Sequence, residues 1–539
     1  MGAKSSRIAR RPAVVEARRI AAEFNVSAED VRKTVTHFVQ QMEDGLAKDG
    51  DTMIPSFVTA LPTGTEKGVC LAVDIGGTNC RVCSVELHGN RTFSIKQTKA
   101  TIPQNLRIGS TSADLFSFIA REVEAFLKKH YSKRYDAHKA RGRDSPVVES
   151  ESMQMDHLPL GFTFSFTFQQ VAIDKGIMAR WDKGFDIPDT IGKDVCALLQ
   201  EQIDKLGIPV RVTALANDTV GTLMARSYTS LGDGSSILGA VFGTGTNGAY
   251  VEKRENVTRL GLSDEQANDM IVNTEWGSFD ESLTVLPETP YDKKLDEVDI
   301  HPGEQMLEKR VSGMYLGELF RLALLSVLEK SELGFLKSSS KGRLSKDSPL
   351  FKPYGLDTSI MSTIEADETT LLSVTRRCLE KEFGLARASI EDAAVAKIIA
   401  EAIGRRAARL SGAAIAAVVV KTGRLNDSSG KANYLDVGVE GSLVEHYPGF
   451  EENIRDALRD VPQIGLEGER RIRIGLARDG SGVGAALIAM VADKQRAQAV
   501  KAGANGGLDA TGKGLEVVEE RKLSAADTGP ASEQLVSAV

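Results

Sequence analysis

Two glycine turns constrain this chain more than any other feature. The first, Asp74-Ile75-Gly76-Gly77-Thr78-Asn79-Cys80-Arg81, follows directly on the apolar run Val69-Cys70-Leu71-Ala72-Val73. A strand ending in an acid, two glycines and a hydroxyl residue makes a tight turn whose backbone N–H groups can approach phosphate oxygens closely. The acid is then placed to hold a metal. The second turn, Gly243-Thr244-Gly245-Thr246-Asn247, again joins an apolar strand to a hydroxyl-rich bend and a further strand ending near Tyr250. No GxxxxGK[ST] run is present, so the P-loop arrangement of lysine and helix dipole is excluded. Either turn alone also suits a plain hairpin. Two of them, well separated in the chain, imply two similar halves clasping one nucleotide.

At 539 residues the chain exceeds a single core, and two domains are expected. A formal charge of -7 leaves no overall basic footprint, which argues against a nucleic-acid partner. The five cysteines are sparse and odd in number, pointing to a reducing compartment and a cytoplasmic location. Cys80 and Cys83 form a C-x-x-C, but within a strand they would face opposite sides, which favours packing over metal or redox chemistry. No apolar stretch approaches the roughly eighteen residues of a membrane span. Residues 1–11 match the M-G-x-x-x-[ST] pattern for acylation of Gly2, with Lys4, Arg7, Arg10 and Arg11 as a basic second signal. An unmodified, frayed terminus is the plainer reading. The acid-free start would also suit a mitochondrial presequence, and membrane contact is expected only through an acylated Gly2.

Along the chain, residues 1–24 read as a basic flexible N-terminus and 25–66 as a docking segment. Ser27 to Asp30 is a plausible capping box, followed by Val31, Val35, Phe38, Val39, Met42 and Leu46 at helical spacing. Strands are expected at 69–73, 81–87 and 92–99, then a helix over 112–129, the order of a ribonuclease-H-like half. Residues 131–157 lack periodicity and read as a long mobile insertion. An alternating strand at 160–165 ends on Ser165. A strand at 210–216 runs into Asn217-Asp218-Thr219, the strand end where an α/β fold displays its chemistry. An Asx turn capping the next helix would use the same residues. Further on, Glu275 stands beside Trp276, a common lining for a polar pocket. Long helices are expected around Tyr315 to Leu324 and over 390–420, with a Ser/Lys-rich loop at 337–348. The Ser411 to Ala414 run allows close backbone packing. Gly441-Ser442 and Gly480-Ser481 each precede a helix and could meet a nucleotide there. Residues 67–225 and 226–495 read as the small and large α/β domains, and 496–539 as a disordered tail.

Six motifs in order carry a resemblance to the eukaryotic, fungal-type hexokinase and glucokinase family: Leu71 to Asn79, Leu160 to Ser165, Lys183-Gly184-Phe185, Asn217 to Thr222, Gly243 to Asn247, and Asn273 to Gly277. The likeness spans about residues 25 to 495. It implies an actin-like, ribonuclease-H-like pair of α/β domains closing over a sugar, and transfer of the γ-phosphate of Mg-ATP to the 6-hydroxyl of glucose or a related hexose, the entry to glycolysis. Asp218 is then the base and Lys183 the neutraliser of phosphoryl charge. Ser165, Phe166, Asp182, Lys183, Asn217, Asp218, Glu275, Gln305 and Glu308 fall on the sugar. Asp74, Gly76, Gly77, Thr78, Asn79 and Arg81 form one phosphate turn, and Gly243, Thr244 and Gly245 the other. Gly441, Ser442, Gly480 and Ser481 lie near the adenosine. Magnesium is carried mainly on the ATP phosphates, with Asp74 as its protein contact.

The chain departs from the family pattern in its sugar site. Asp182 stands where the family usually has Thr, Thr167 where it has Pro, and Glu440 where it commonly has Asp. A carboxylate at 182 either pairs with Lys183, weakening it as an electrostatic stabiliser, or turns outward and changes little. Two other readings are therefore open from sequence: a kinase shifted toward another hexose such as an N-acetylated amino sugar, and a catalytically weakened sugar sensor. The basic start, insertion and tail would give such a sensor protein-binding surfaces.

Overall fold

The computed structural model describes residues 11–109, 111–141, 157–164, 166–181, 184–230, 236–261, 269–336, 344–426, 434–477 and 479–505. Residues 1–493 form one compact unit; of the second, 494–539, the described part continues a helix through Asn505. The strands in order are β1 (Ile54–Pro55), β2 (Lys67–Ile75), β3 (Asn79–His88), β4 (Phe93–Thr101), β5 (Leu158–Phe164), β6 (Thr167–Ala172), β7 (Lys175–Arg180), β8 (Val210–Ala216), β9 (Ser236–Phe242), β10 (Thr246–Lys253), β11 (Asp269–Asn273), β12 (Leu435–Glu440) and β13 (Ile472–Leu476). The helices that matter for the site are α1 (Pro12–Glu23), α2 (Ala28–Ala47), α3 (Ser112–His130), α4 (Ser132–Arg141), α5 (Val195–Leu206), α6 (Asp218–Thr229), α7 (Gly313–Glu329), α8 (Ile390–Thr422), α9 (Ser442–His446), α10 (Phe450–Asp460) and α11 (Gly480–Asn505).

Two sheets repeat one topology. The first runs β4-β3-β2-β5-β8, and the second carries β11-β10-β9-β12-β13 with β1 added at its edge. In each, a three-stranded antiparallel meander is extended by two parallel strands. Each meander begins with a hairpin whose bend is one of the two glycine turns. The internal duplication inferred from those turns is thus present in the strand order.

The halves are joined by exchanged helices. α6 leaves the first sheet and packs on β9 of the second, while the start of α11 leaves the second sheet and packs against β5 of the first. Both approaches need glycine in the strand. A Cβ at Gly239 would lie 2.3 Å from the Leu223 nitrogen, and one at Gly161 would lie 2.1 Å from the Ala485 carbonyl oxygen. The exchanged helices then cross each other at Gly221 and Gly484, where a Cβ on Gly484 would fall 2.1 Å from the Gly221 Cα.

Three apolar cores follow from this layout. One surrounds α8 and includes α1, α2, α7 and α10. A second lies between the first sheet and helices α3 and α5. The third is shared, with Cys70, Ala72 and Cys83 of the first sheet meeting Ala249, Val251 and Ile271 of the second around α6 and α11. Cys80 belongs to the second core and Cys83 to the third, so the C-x-x-C pair does face opposite sides of β3.

Four sequence expectations need correction or fall outside the described residues. Residues 12–23, read as flexible, form α1, which buries Ala13, Val14, Ala17 and Ile20. Small apolar residues among arginines concealed that stripe, and Phe24 beyond it lies under the Arg406 guanidinium at 4.7 Å. Within the supposed insertion, 132–141 form α4, held by Tyr135, whose hydroxyl donates to Glu124 at 2.6 Å. Residues 142–156 lie outside the described residues, as do 1–10, with the acylation pattern, and 506–539. Residues 496–505, read as the start of a disordered tail, continue α11 through Asn505. By contrast, the Ser27/Asp30 capping box forms as expected, with Asp30 N–H donating to Ser27 Oγ at 3.2 Å and Ser27 N–H to Asp30 at 2.8 Å.

Gly484→Val forces two backbones apart where neither has a side chain to move. Overpacking of this kind costs about 1–3 kcal/mol, so the unfolding free energy from urea titration should fall by that amount, and an unchanged value would mean the crossing has slack.

Candidate active site

The first glycine turn joins β2 to β3, and the Gly76 N–H donates to the Asn79 carbonyl at 3.1 Å to close it. Asp74, Gly76, Gly77, Thr78, Asn79, Arg81 and Lys99 line a hollow of about 280 Å³ beside it. Lys99 was not anticipated, although it is the β4 partner of Arg81 in the β3–β4 register and so shares its face. Arg81 is tied on three sides: it donates to Asp479 at 2.6 Å, to Asp74 at 3.0 Å and to Ser481 Oγ at 2.5 Å. Its charge balances two carboxylates that would otherwise repel across the domain junction. Ser481, placed by resemblance near an adenosine, is here a partner of the first turn, donating to Asp74 at 3.3 Å.

The second turn joins β9 to β10. Gly243 N–H donates to the Gly245 carbonyl at 3.0 Å, and the first N–H groups of α7, Gly313 and Met314, donate to the Gly243 and Thr244 carbonyls at 2.7 and 3.1 Å. The α7 amino end is therefore spent on positioning this turn. Gly441 lies against it, with φ at 120°; a side chain there would strike the Phe242 carbonyl oxygen at 2.4 Å. Next along the chain, Ser442 opens α9 and is exposed. The Gly480 N–H donates to Glu440 at 3.0 Å. A continuous line of contacts thus runs from the first turn through 479–481 and 440–441 to the second, which is how the two turns come to share one site.

Beside this junction, β8 ends in Asn217 and α6 begins at Asp218. Asn217 Oδ1 accepts from the Thr219 N–H at 2.9 Å and its hydroxyl at 2.6 Å, so the Asx cap forms. Asp218 occupies the first helical position with its carboxylate accepting the Thr219 N–H at 2.8 Å. Facing it are acids from the other half. Glu275 accepts from Asn273 Nδ2 at 2.6 Å and Asn247 Nδ2 at 3.1 Å. Burial, reinforced by the charges of Asp218 and Glu308 and opposed by the Asn273 hydrogen bond, pushes Glu275 up to about 7. Glu308 accepts from the Thr246 N–H at 2.9 Å, and Gln305 donates to Ser278 Oγ at 2.9 Å. Glu275 and Gln305 both hold left-handed backbone, φ 49° and 57°, a strain that non-glycine residues keep where a site requires it.

Trp276 does not line this pocket, contrary to expectation. It is buried against Gly248 and donates to Thr246 Oγ1 at 3.0 Å, fixing the second turn from below. Phe166 is likewise buried, its ring 4.8 Å from both Trp181 and Phe185 in an aromatic cluster. Ser165, Asp182 and Lys183 lie outside the described residues. Among the described residues no three His, Cys, Asp or Glu side chains converge as a metal cage, and Asp74 is the carboxylate lining the hollow.

Fold and site together define a two-domain α/β kinase of the actin-like class. Family models described as hexokinase match residues 237–491 and 16–228. The chain is 49% identical over 489 residues to a glucokinase of Aspergillus niger, covering 89% of this chain and 97% of the relative. It is 42% identical over 498 residues to glucokinase-1 of Saccharomyces cerevisiae, covering 87% and 95%. Among solved structures, a hexokinase from Schistosoma mansoni complexed with glucose superposes with a TM-score of 0.70 at 32% identity, covering 88% of this chain and 97% of that one. A further hexokinase crystal structure gives 0.72 at 26% identity, covering 89% and 99%. The chain belongs to the hexokinase family.

Because the fold raises the Glu275 pKa above its unfolded value, this acid favours the folded state at low pH, and that contribution is lost as pH rises through about 7. Glu275→Gln removes the ionisation. Its melting temperature should exceed the wild type's at pH 8 and match it at pH 5; equal curves at both would mean Glu275 is not held in its neutral form.

Proposed function

We propose that this chain transfers the γ-phosphoryl group of ATP to the 6-hydroxyl of glucose or a closely related hexose, with Asp218 as the base. The observation that carries the assignment is the opposition of Asp218, at the end of β8, to the acids and amides of the second half: Glu275, Glu308, Asn247 and Gln305. Such a ring accepts hydrogen bonds from several hydroxyls of an uncharged polyol. Asp218 need only accept a proton late, since phosphoryl transfer is loose and leaves little charge on the attacking oxygen until the bond forms.

The glycine turns are read as the holders of the ATP phosphates, the first through its hollow and Lys99, the second through the bend pinned by α7. Gly441 and Ser442 are read as flanking the adenosine. Magnesium supplies charge neutralisation on the β- and γ-phosphates when bound, and Asp74 is the carboxylate suited to it. Lys183 is assigned to the transferred group by its family position. Closure of the halves would exclude water, which competes with the sugar as nucleophile. The cytoplasm is the proposed location, from the sparse unpaired cysteines.

Asp218→Ala should lower glucose phosphorylation in a coupled assay by several orders of magnitude while glucose binding, followed by intrinsic tryptophan fluorescence or calorimetry, changes little. Retained turnover would remove Asp218 as base. Asp182→Thr should raise kcat if the acid draws on Lys183, and an unchanged kcat would show that it turns outward. The same assay across glucose, fructose, mannose and N-acetylglucosamine fixes the sugar class.

A further inference from the structure

Glu440 closes β12 at the meeting point of three elements, and its hydrogen bonds do not balance for a carboxylate. Its Oε2 accepts the Gly480 N–H at 3.0 Å and lies 3.3 Å from Thr222 Oγ1. Thr222 Oγ1 is also 2.9 Å from the Asp218 carbonyl oxygen, the back-bond a helical threonine makes to the residue four earlier. A hydroxyl has one proton. Thr222 either shares its proton between Asp218 and Glu440, as a weaker three-centre bond, or gives it to one of them. Both contacts are full two-centre hydrogen bonds at once when Glu440 carries its own proton, donates it to Thr222 Oγ1, and leaves the threonine proton for Asp218.

The surroundings favour that state. Charges acting on Glu440 among the described residues are those of Asp479, from the segment before α11, and Asp218, from α6. The nearby cations are committed elsewhere, Arg81 to Asp479 and Asp74, and Arg226, two turns down α6, to Asp436 at 2.6 and 2.7 Å. Burial first, then Asp479 and Asp218, raise Glu440 to about 7 against the pull of the Gly480 N–H. The extra methylene relative to the aspartate common at this position lets the carboxyl reach Thr222 and Gly480.

We propose that Glu440 is a positioning residue that works as a neutral acid, linking the nucleotide-facing segments 441–442 and 480–481 through Thr222 to the first turn of α6 and its catalytic Asp218. Ionisation takes the threonine proton away from that turn and adds a negative charge next to the phosphate-binding turns. A bound polyanion therefore favours the protonated form, and the ionised form opposes nucleotide. The inference rests on the nucleotide reading above, deepening it with a proton-linked control of the same site.

Two readouts separate the inference from that reading. The first is thermal stability without ligand: E440Q stays neutral at every pH, so its melting temperature relative to wild type should rise between pH 4 and pH 8.5, whether or not the protein turns out to be a kinase. The second is kcat/KM for Mg-ATP. The ratio of E440Q to wild type should rise with pH above 7, by up to about tenfold per pH unit for one ionising group. Thr222→Val, close in volume, breaks the relay and should lower kcat more than it alters KM for ATP. Flat ratios across pH, or full kcat in the Thr222→Val protein, would overturn the proposal. Absence of turnover at every pH would instead overturn the kinase reading, with the melting curves still deciding where the proton sits.

Discussion

The site depends on a bare contact between two helices. α6 and α11 each leave the sheet that produced them and pack on the opposite one, and they cross where Gly221 and Gly484 present backbone to backbone. Everything chemical is hung on this crossing. Asp218 and Thr222 sit on the first turns of one helix, Gly480 and Ser481 on the first turn of the other, and Glu440 bridges the two. A side chain at the crossing would not merely cost packing energy. It would separate Asp218, the proposed base, from the segments read as nucleotide-binding, since both are carried at the amino ends of the helices that meet there.

Electrostatics at that junction run against intuition for a site meant to hold polyphosphate. Asp74, Asp218, Glu275, Glu308, Glu440 and Asp479 gather within the same region, and Arg81 is shared between two of them. Two devices make the gathering tolerable. Some acids are paired with a guanidinium, as Asp74 and Asp479 are with Arg81. Others give up their charge near neutrality, as Glu275 and Glu440 do under burial and mutual repulsion. The protein thereby keeps a ring of hydrogen-bond acceptors without accumulating a full set of negative charges.

Much of this was legible in the sequence because turns and caps are local. The glycine bends, the Asx cap at Asn217, the capping box at Ser27 and the helix over 390–422 each follow from residues within a few positions of one another. The duplication was legible too, since each bend sits at the same place in its half. What escaped is what depends on distance along the chain. Arg81 lines the hollow, but its partners Asp479 and Ser481, 398 and 400 residues away, give no local signal. Trp276 reads as pocket lining until Gly248 leaves room for it in the core. Glu440 reads as a mild substitution until Thr222 is seen to face it. Lys99 could have been found from strand parity, because pairing with Arg81 puts both on one face.

The exchanged helices also set the order in which the protein can be made. The first sheet lacks the cover over β5 until Val483 to Ala489 arrive, and these are among the last core residues to be synthesised. Its amino-terminal half must therefore wait on the ribosome with one apolar face exposed, a long-range closure of the kind that slows folding and invites association between nascent chains. For this architecture, completing the first sheet's core is tied by topology to the end of translation.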